Sequence, residues 1–162
     1  MRPHQIFAAM SQEKCEQILD RLHEVSPEAA RSTVAAAATA LKFRPKFLLK
    51  QPPAKRVASV KQALSRVGSM GMAEELLAVY FLKCRLELLT EWLDLMGLEH
   101  EDGILTQEEV PCPEAGVLAE QVAGFRAKDD DDDRLLLLRV FAAQPAIEWP
   151  ALDELVEAEA GA

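Results

Sequence analysis

No apolar run in this 162-residue chain approaches the roughly 20 residues that a membrane-spanning helix requires. The longest, residues 34–41, is mostly alanine and is interrupted by Thr39. Residues 6–10 are apolar but too few for a secretory core, so neither a membrane span nor an export signal is expected. Cysteine is scarce. Cys15, Cys84 and Cys112 are odd in number, far apart and without a CxxC or zinc spacing, so no disulfide framework, metal or cofactor is expected. Cys15 and Cys84 fall on apolar helical stripes, where cysteine acts as a small hydrophobe, and a reducing cytoplasmic compartment is the default. Serine-nucleophile, HExxH, dinucleotide and kinase patterns are all missing, and no catalytic residue is nominated. No internal repeat is visible.

Acid is missing where it would be most expected. Residues 29–73 hold nine basic side chains (Arg31, Lys42, Arg44, Lys46, Lys50, Lys55, Arg56, Lys61 and Arg66) and no aspartate or glutamate. The whole chain nevertheless carries a net charge of −9, so the remainder is strongly acidic. That asymmetry is the one unusual global feature.

What is present is a helical pattern almost throughout, in a chain of ordinary single-domain length. Ser11 is placed to cap a helix with the stripe Cys15, Ile18, Leu19, Leu22 and Val25. Ser26-Pro27-Glu28 restarts the chain with a capping serine and a proline at the first helical position, opening an alanine-rich helix over about residues 27–43. Phe43-Arg44-Pro45 should end it, and a short piece over residues 46–51 runs into Pro52-Pro53. Val57, Val60, Leu64 and Val67 mark the next helix. The strongest element spans residues 72–96. There Leu76, Tyr80, Cys84, Leu88 and Trp92 recur every four residues, and Gly97 suits its C-terminal cap. Helical spacing returns at Leu118, Val122 and Phe125. The aspartates at 129–133 read as a solvated lead-in to a buried helix over residues 135–141, although Leu135 to Leu138 alone would also suit a buried strand, and Trp149-Pro150 opens a last short helix. The fold class expected is all-α: one helical domain, an irregular bundle of about six or seven helices around the long helix 72–96.

Two segments invite function. The basic block suggests a surface for an anionic partner. Lys55 and Arg66 point away from the apolar stripe of their helix, and Lys42, Arg44, Lys46, Lys50 and Arg56 complete the candidate set. The docked partner would be an acidic protein or a second copy of this chain. The overall acidity and the absence of any nucleic-acid-binding signature weigh against nucleic acid, the third reading. The second segment, residues 98–113, is long and irregular, with His100, Glu101, Asp102, Glu108, Glu109 and Cys112 supplying a base, carboxylates and a thiol. A small enzyme using residues 100–112 is therefore the alternative. Their spacing matches no metal motif. The leading expectation is a non-catalytic interaction or adaptor module, self-association included.

Overall fold

A computed structural model describes residues 1–128 and 132–158. Helix accounts for 72% and strand for only 3%, so the all-α class holds. The described residues form ten α-helices and one two-stranded hairpin. The chain divides into two compact units, Arg2–Cys84 and Arg85–Ala162, the latter with Met1.

In the first unit, α1 (Pro3–Ala9) starts with proline at its first position, where the missing N–H costs nothing, and buries Ile6 and Phe7. Ser11 caps α2 (Gln12–Val25) as its sequence suggests, its Oγ accepting from the Lys14 N–H at 3.0 Å. Cys15, Ile18, Leu19 and Leu22 are buried, but Val25, in the last turn, is 55% exposed. Helix α3 (Pro27–Ala40) opens on proline, yet Ser26 makes no capping bond with its side chain. The helix ends earlier than its apolar pattern implies, because Lys42 turns left-handed at φ 61°. The Phe43 N–H then donates to Ala38 O at 2.8 Å and the Lys42 N–H to Thr39 O at 3.1 Å. This is the paired C-terminal bonding usually built on glycine, here built on lysine.

Helix α4 (Pro45–Leu49) is one short turn whose single fully buried side chain is Leu48. Helix α5 (Pro53–Leu64) buries Val57, Val60, Ala63 and Leu64 and packs against all five other helices of the unit. Val67, expected on its stripe, lies past the helix end and is 70% exposed. Helix α6 (Met70–Cys84) buries Leu76, Leu77, Tyr80 and Phe81, with the Arg21 guanidinium donating to the Tyr80 hydroxyl at 3.0 Å.

The single helix expected over residues 72–96 is interrupted. Arg85, at φ −136° and ψ 42°, leaves helical geometry, and α7 (Leu86–Leu95) begins after it in the second unit. The cause is charge rather than local propensity. Asp133, one of the aspartates expected to be solvated, is fully buried, and the Arg85 guanidinium pairs with it. An unpaired buried carboxylate would be heavily destabilising, so the arginine is held out of the helix to meet it. Burial alone would lower the Arg85 guanidinium, but Glu87 and Asp133 together raise it above its ordinary range.

Residues 98–113, expected to be irregular, contain a hairpin of β1 (His100–Glu101) and β2 (Ile104–Leu105). Its two-residue turn, Asp102-Gly103, has positive φ at both positions, the geometry that Asp-Gly favours and that matches strand twist. Gly97 caps α7 as its position suggests, at φ 67°, with the Leu98 N–H donating to Leu93 O. Helix α8 (Ala115–Arg126) buries Leu118, Val122 and Phe125. Helix α9 (Asp133–Ala142) and α10 (Pro150–Ala158) complete the unit. Asp129, Asp130 and Asp131 lie outside the described residues.

The core of this second unit is aromatic. Trp92 is completely buried, 5.2 Å from Phe125 and 5.8 Å from Phe141 between ring centroids, and Phe141 in turn lies 5.2 Å from Trp149. Trp149 donates its indole N–H to Val110 O at 2.9 Å, pinning the segment that follows the hairpin. A second ion cluster closes the packing. Arg134 grips both oxygens of Glu91, at 3.1 and 2.9 Å, and lies 4.5 Å over the Phe125 ring. The hydrogen bond from Arg134 outweighs partial burial and, with Lys128, holds the Glu91 carboxyl at about 2.

Trp92→Ala should therefore cost about 3–5 kcal/mol in chemical denaturation, and a loss below about 1 kcal/mol would contradict the central place of this ring. Glu91 is expected to govern part of the acid limb. Its folded pKa lies below the unfolded value, so its contribution is complete above about pH 4.5 and fades as pH falls toward 2. Glu91→Gln should lower stability at neutral pH by about 1–2 kcal/mol, allowing for screening of a side chain 33% exposed, and should flatten the loss over that acid range. Denaturant titrations from neutral pH to pH 2 check both effects. An unchanged acid limb would contradict the role given to this carboxylate.

Candidate interaction surface

The basic block separates into two groups once the helices are in place. Three of its cations are engaged in the fold. Arg56 donates to Leu49 O at 3.2 Å, Lys61 to Ala8 O at 3.4 Å and Arg66 to Ala40 O at 3.3 Å. These acceptors lie at the C-terminal ends of α4, α1 and α3, where carbonyls lack intrahelical partners and the helix dipole is negative. Arg56 and Lys61 sit on α5 and Arg66 two residues beyond it, so one region closes three helix ends. Arg56 and Arg66 are thus structural as well as candidate surface residues.

The second group is Lys42, Arg44, Lys46, Lys50 and Lys55, and the ninth cation, Arg31 on α3, is also exposed. The side chains of the five in this group are exposed, and none of them makes a hydrogen bond or ion pair with another described residue. Four of them surround α4, and the pattern of that helix explains the arrangement. Leu48 enters the core, which leaves Phe47 and Leu49 turned outward at 52% and 40% exposure. Phe43, on the turn before α4, is 43% exposed and meets the Phe47 ring edge-on at 5.6 Å. Cations alternate with these rings along Lys42-Phe43-Arg44-Pro45-Lys46-Phe47. The charge was evident from composition, but the aromatic part was not, because apolar residues at helical spacing ordinarily point inward.

Another opening in the first unit is a groove of about 360 Å³ between α3 and α6, also walled by Leu22 of α2. It exists because Ala29, Ser32, Thr33 and Ala36 are too short to fill the space, and Glu75 is the one charged side chain along it.

In the 100–112 segment the histidine is tied into the hairpin and to α7. The Gly103 N–H donates to His100 Nδ1 at 3.3 Å, so the neutral ring carries its proton on Nε2, which faces Asp94 Oδ1 at 2.7 Å. Both ring nitrogens are committed to holding the hairpin on the end of α7. Glu101, Asp102, Glu108, Glu109 and Cys112 are exposed, and no three metal-binding side chains converge among the described residues. Cys15 is fully buried, and burial pushes its thiol up to about 12 against the opposing pull of Lys61, so it is a poor nucleophile.

No helix among the described residues is long and apolar enough to cross a membrane. Comparison with protein-family models, with curated proteins and with solved structures finds no match to this chain.

Proposed function

We propose that this chain is a non-catalytic interaction module that docks an acidic protein through the surface around α4. The observation that carries this reading is the set of five exposed cations, Lys42, Arg44, Lys46, Lys50 and Lys55, free of ion pairs among the described residues and interleaved with exposed Phe43 and Phe47. Cations without acidic neighbours steer an acidic partner and weaken like-charged encounters. The two rings supply what charge alone lacks, an apolar anchor that gains when water is excluded. The binding module is read as working in a cytoplasmic, reducing setting, in keeping with cysteines that form no disulfide.

The same rings bring nucleic acid back as a second reading, because bases stack on exposed aromatics beside cations. The experiment separates the two. Wild type and the variant Lys42→Glu/Arg44→Glu/Lys46→Glu/Lys50→Glu/Lys55→Glu are immobilised and exposed to nuclease-treated native lysate at low and high salt, and bound proteins are identified by mass spectrometry. In parallel, a single-stranded oligonucleotide is titrated into each soluble protein. Acidic proteins held by wild type, released by salt and lost from the variant are the expected result. Oligonucleotide binding lost in the variant would replace the protein reading with nucleic acid. Identical retention by both chains would reduce the surface to a solvated face.

A further inference from the structure

The charge division follows the division into units. Arg2–Cys84 holds 13 basic and seven acidic residues, whereas Arg85–Ala162 holds five basic and 20 acidic. Within the second unit, residues 86–125 contain ten carboxylates and no lysine or arginine, a mirror image of the basic block. Glu91 is committed to Arg134; the other nine are exposed, Glu87 pairing with Arg85 and Asp94 with His100. Large exposed apolar side chains follow the same division. Ile104 on the hairpin is 62% exposed, Val117 46% and Leu95 40%, while Phe43, Phe47, Leu49, Val67 and Met70 lie in the basic block. Among the described residues, only Val25 of this kind falls outside the two blocks, so exposed apolar side chains accompany the one-signed charge of each block.

We infer that the basic, aromatic surface around α4 docks onto the acidic hairpin surface of a second copy of this chain, head to tail. This rests on the reading of the α4 surface as a protein-docking site and names its occupant. The hairpin, its flanks and the end of α7 supply both halves of the complement: Ile104 and Leu95 as apolar ground for Phe43 and Phe47, and Glu99, Glu101, Asp102 and Glu108 for the lysines. Pairing like with like would set cation against cation or carboxylate against carboxylate, so the contact is heterologous. An anionic bilayer or nucleic acid would meet the same α4 surface but would be repelled by the unit carrying 20 acids. Two half-exposed rings are a small apolar anchor, so the association is weak, reversible and salt-dependent.

Sedimentation velocity on the full chain tests this. At low salt, the mass of wild type should rise above 17.9 kDa with increasing concentration, and high salt should return it to the monomer. Three variants follow, each confirmed as folded by circular dichroism: Phe43→Ser/Phe47→Ser, Lys42→Glu/Lys46→Glu/Lys50→Glu, and Glu99→Lys/Glu101→Lys/Glu108→Lys. Each alone should lose self-association by at least about tenfold. A mixture of the two charge-reversed variants should recover a dimer, because each retains the surface that the other lacks. Wild type that stays monomeric at low salt, variants that associate as wild type does, or a mixture that stays monomeric would each overturn the proposal. If wild type is monomeric while the lysine variant still loses an acidic protein from lysate, only the second-copy occupant falls. If the lysine variant changes neither assay, the docking surface falls with it.

Discussion

The pairing of buried Asp133 with Arg85 is the constraint on which the second unit depends. A carboxylate with no exposed surface needs a cation close by, because desolvating an unpaired charge costs several kcal/mol. That need takes Arg85 out of helical geometry and sets the boundary at which α6 ends and α7 begins. It also fixes the start of α9, since Asp133 is its first residue and Asp132 before it turns left-handed at φ 61°. Glu91 and Arg134 tie α7 to α9 a second time, and the Arg134 guanidinium lies over the Phe125 ring of α8. The aromatic packing of Trp92, Phe125 and Phe141 is therefore clamped by two ion pairs, which join α7 and the residue before it to α9.

Charge serves a different purpose in the first unit. Arg56, Lys61 and Arg66 donate to the terminal carbonyls of three helices, replacing caps that the sequence does not provide as side chains. Once they are committed, the other cations of the basic block make no side-chain hydrogen bond or ion pair among the described residues. The proposed docking surface is what remains of the basic block after the fold has used its share. A count of lysine and arginine could not make that division, because the recipients are backbone carbonyls distant in sequence.

Local chemistry was legible wherever it was self-contained. Ser11 caps α2, proline opens α3 and α10, and Gly97 ends α7, each through neighbouring backbone geometry. The buried rows at Leu118, Val122 and Phe125, and at Trp92, were equally plain from spacing. Features set by distant partners were hidden. Residues 82–89 are good helix formers without glycine or proline, so nothing local marks the break at Arg85. Lys42 gives no hint that it occupies a position usually held by glycine. The hairpin did leave a signal, the Asp102-Gly103 turn, but strands of two residues are too short to show alternation. At the candidate surface, the uncompensated charge could be read from composition. The outward Phe43 and Phe47 could not, since one buried residue, Leu48, orients the whole of α4.

The central claim is that Arg85 and Asp133 act as one coupled unit, and a double-mutant cycle measures it most directly. Arg85→Ala and Asp133→Ala, singly and together, would be compared by denaturant unfolding at neutral pH. Arg85→Ala takes this cation from the buried Asp133 carboxylate, whereas Asp133→Ala leaves Arg85 with Glu87, so the two losses should be strongly non-additive, with a coupling of about 2–3 kcal/mol and the double variant little worse than Asp133→Ala alone. Losses that add to within about 0.5 kcal/mol would show that the two residues do not depend on each other, and would contradict the account.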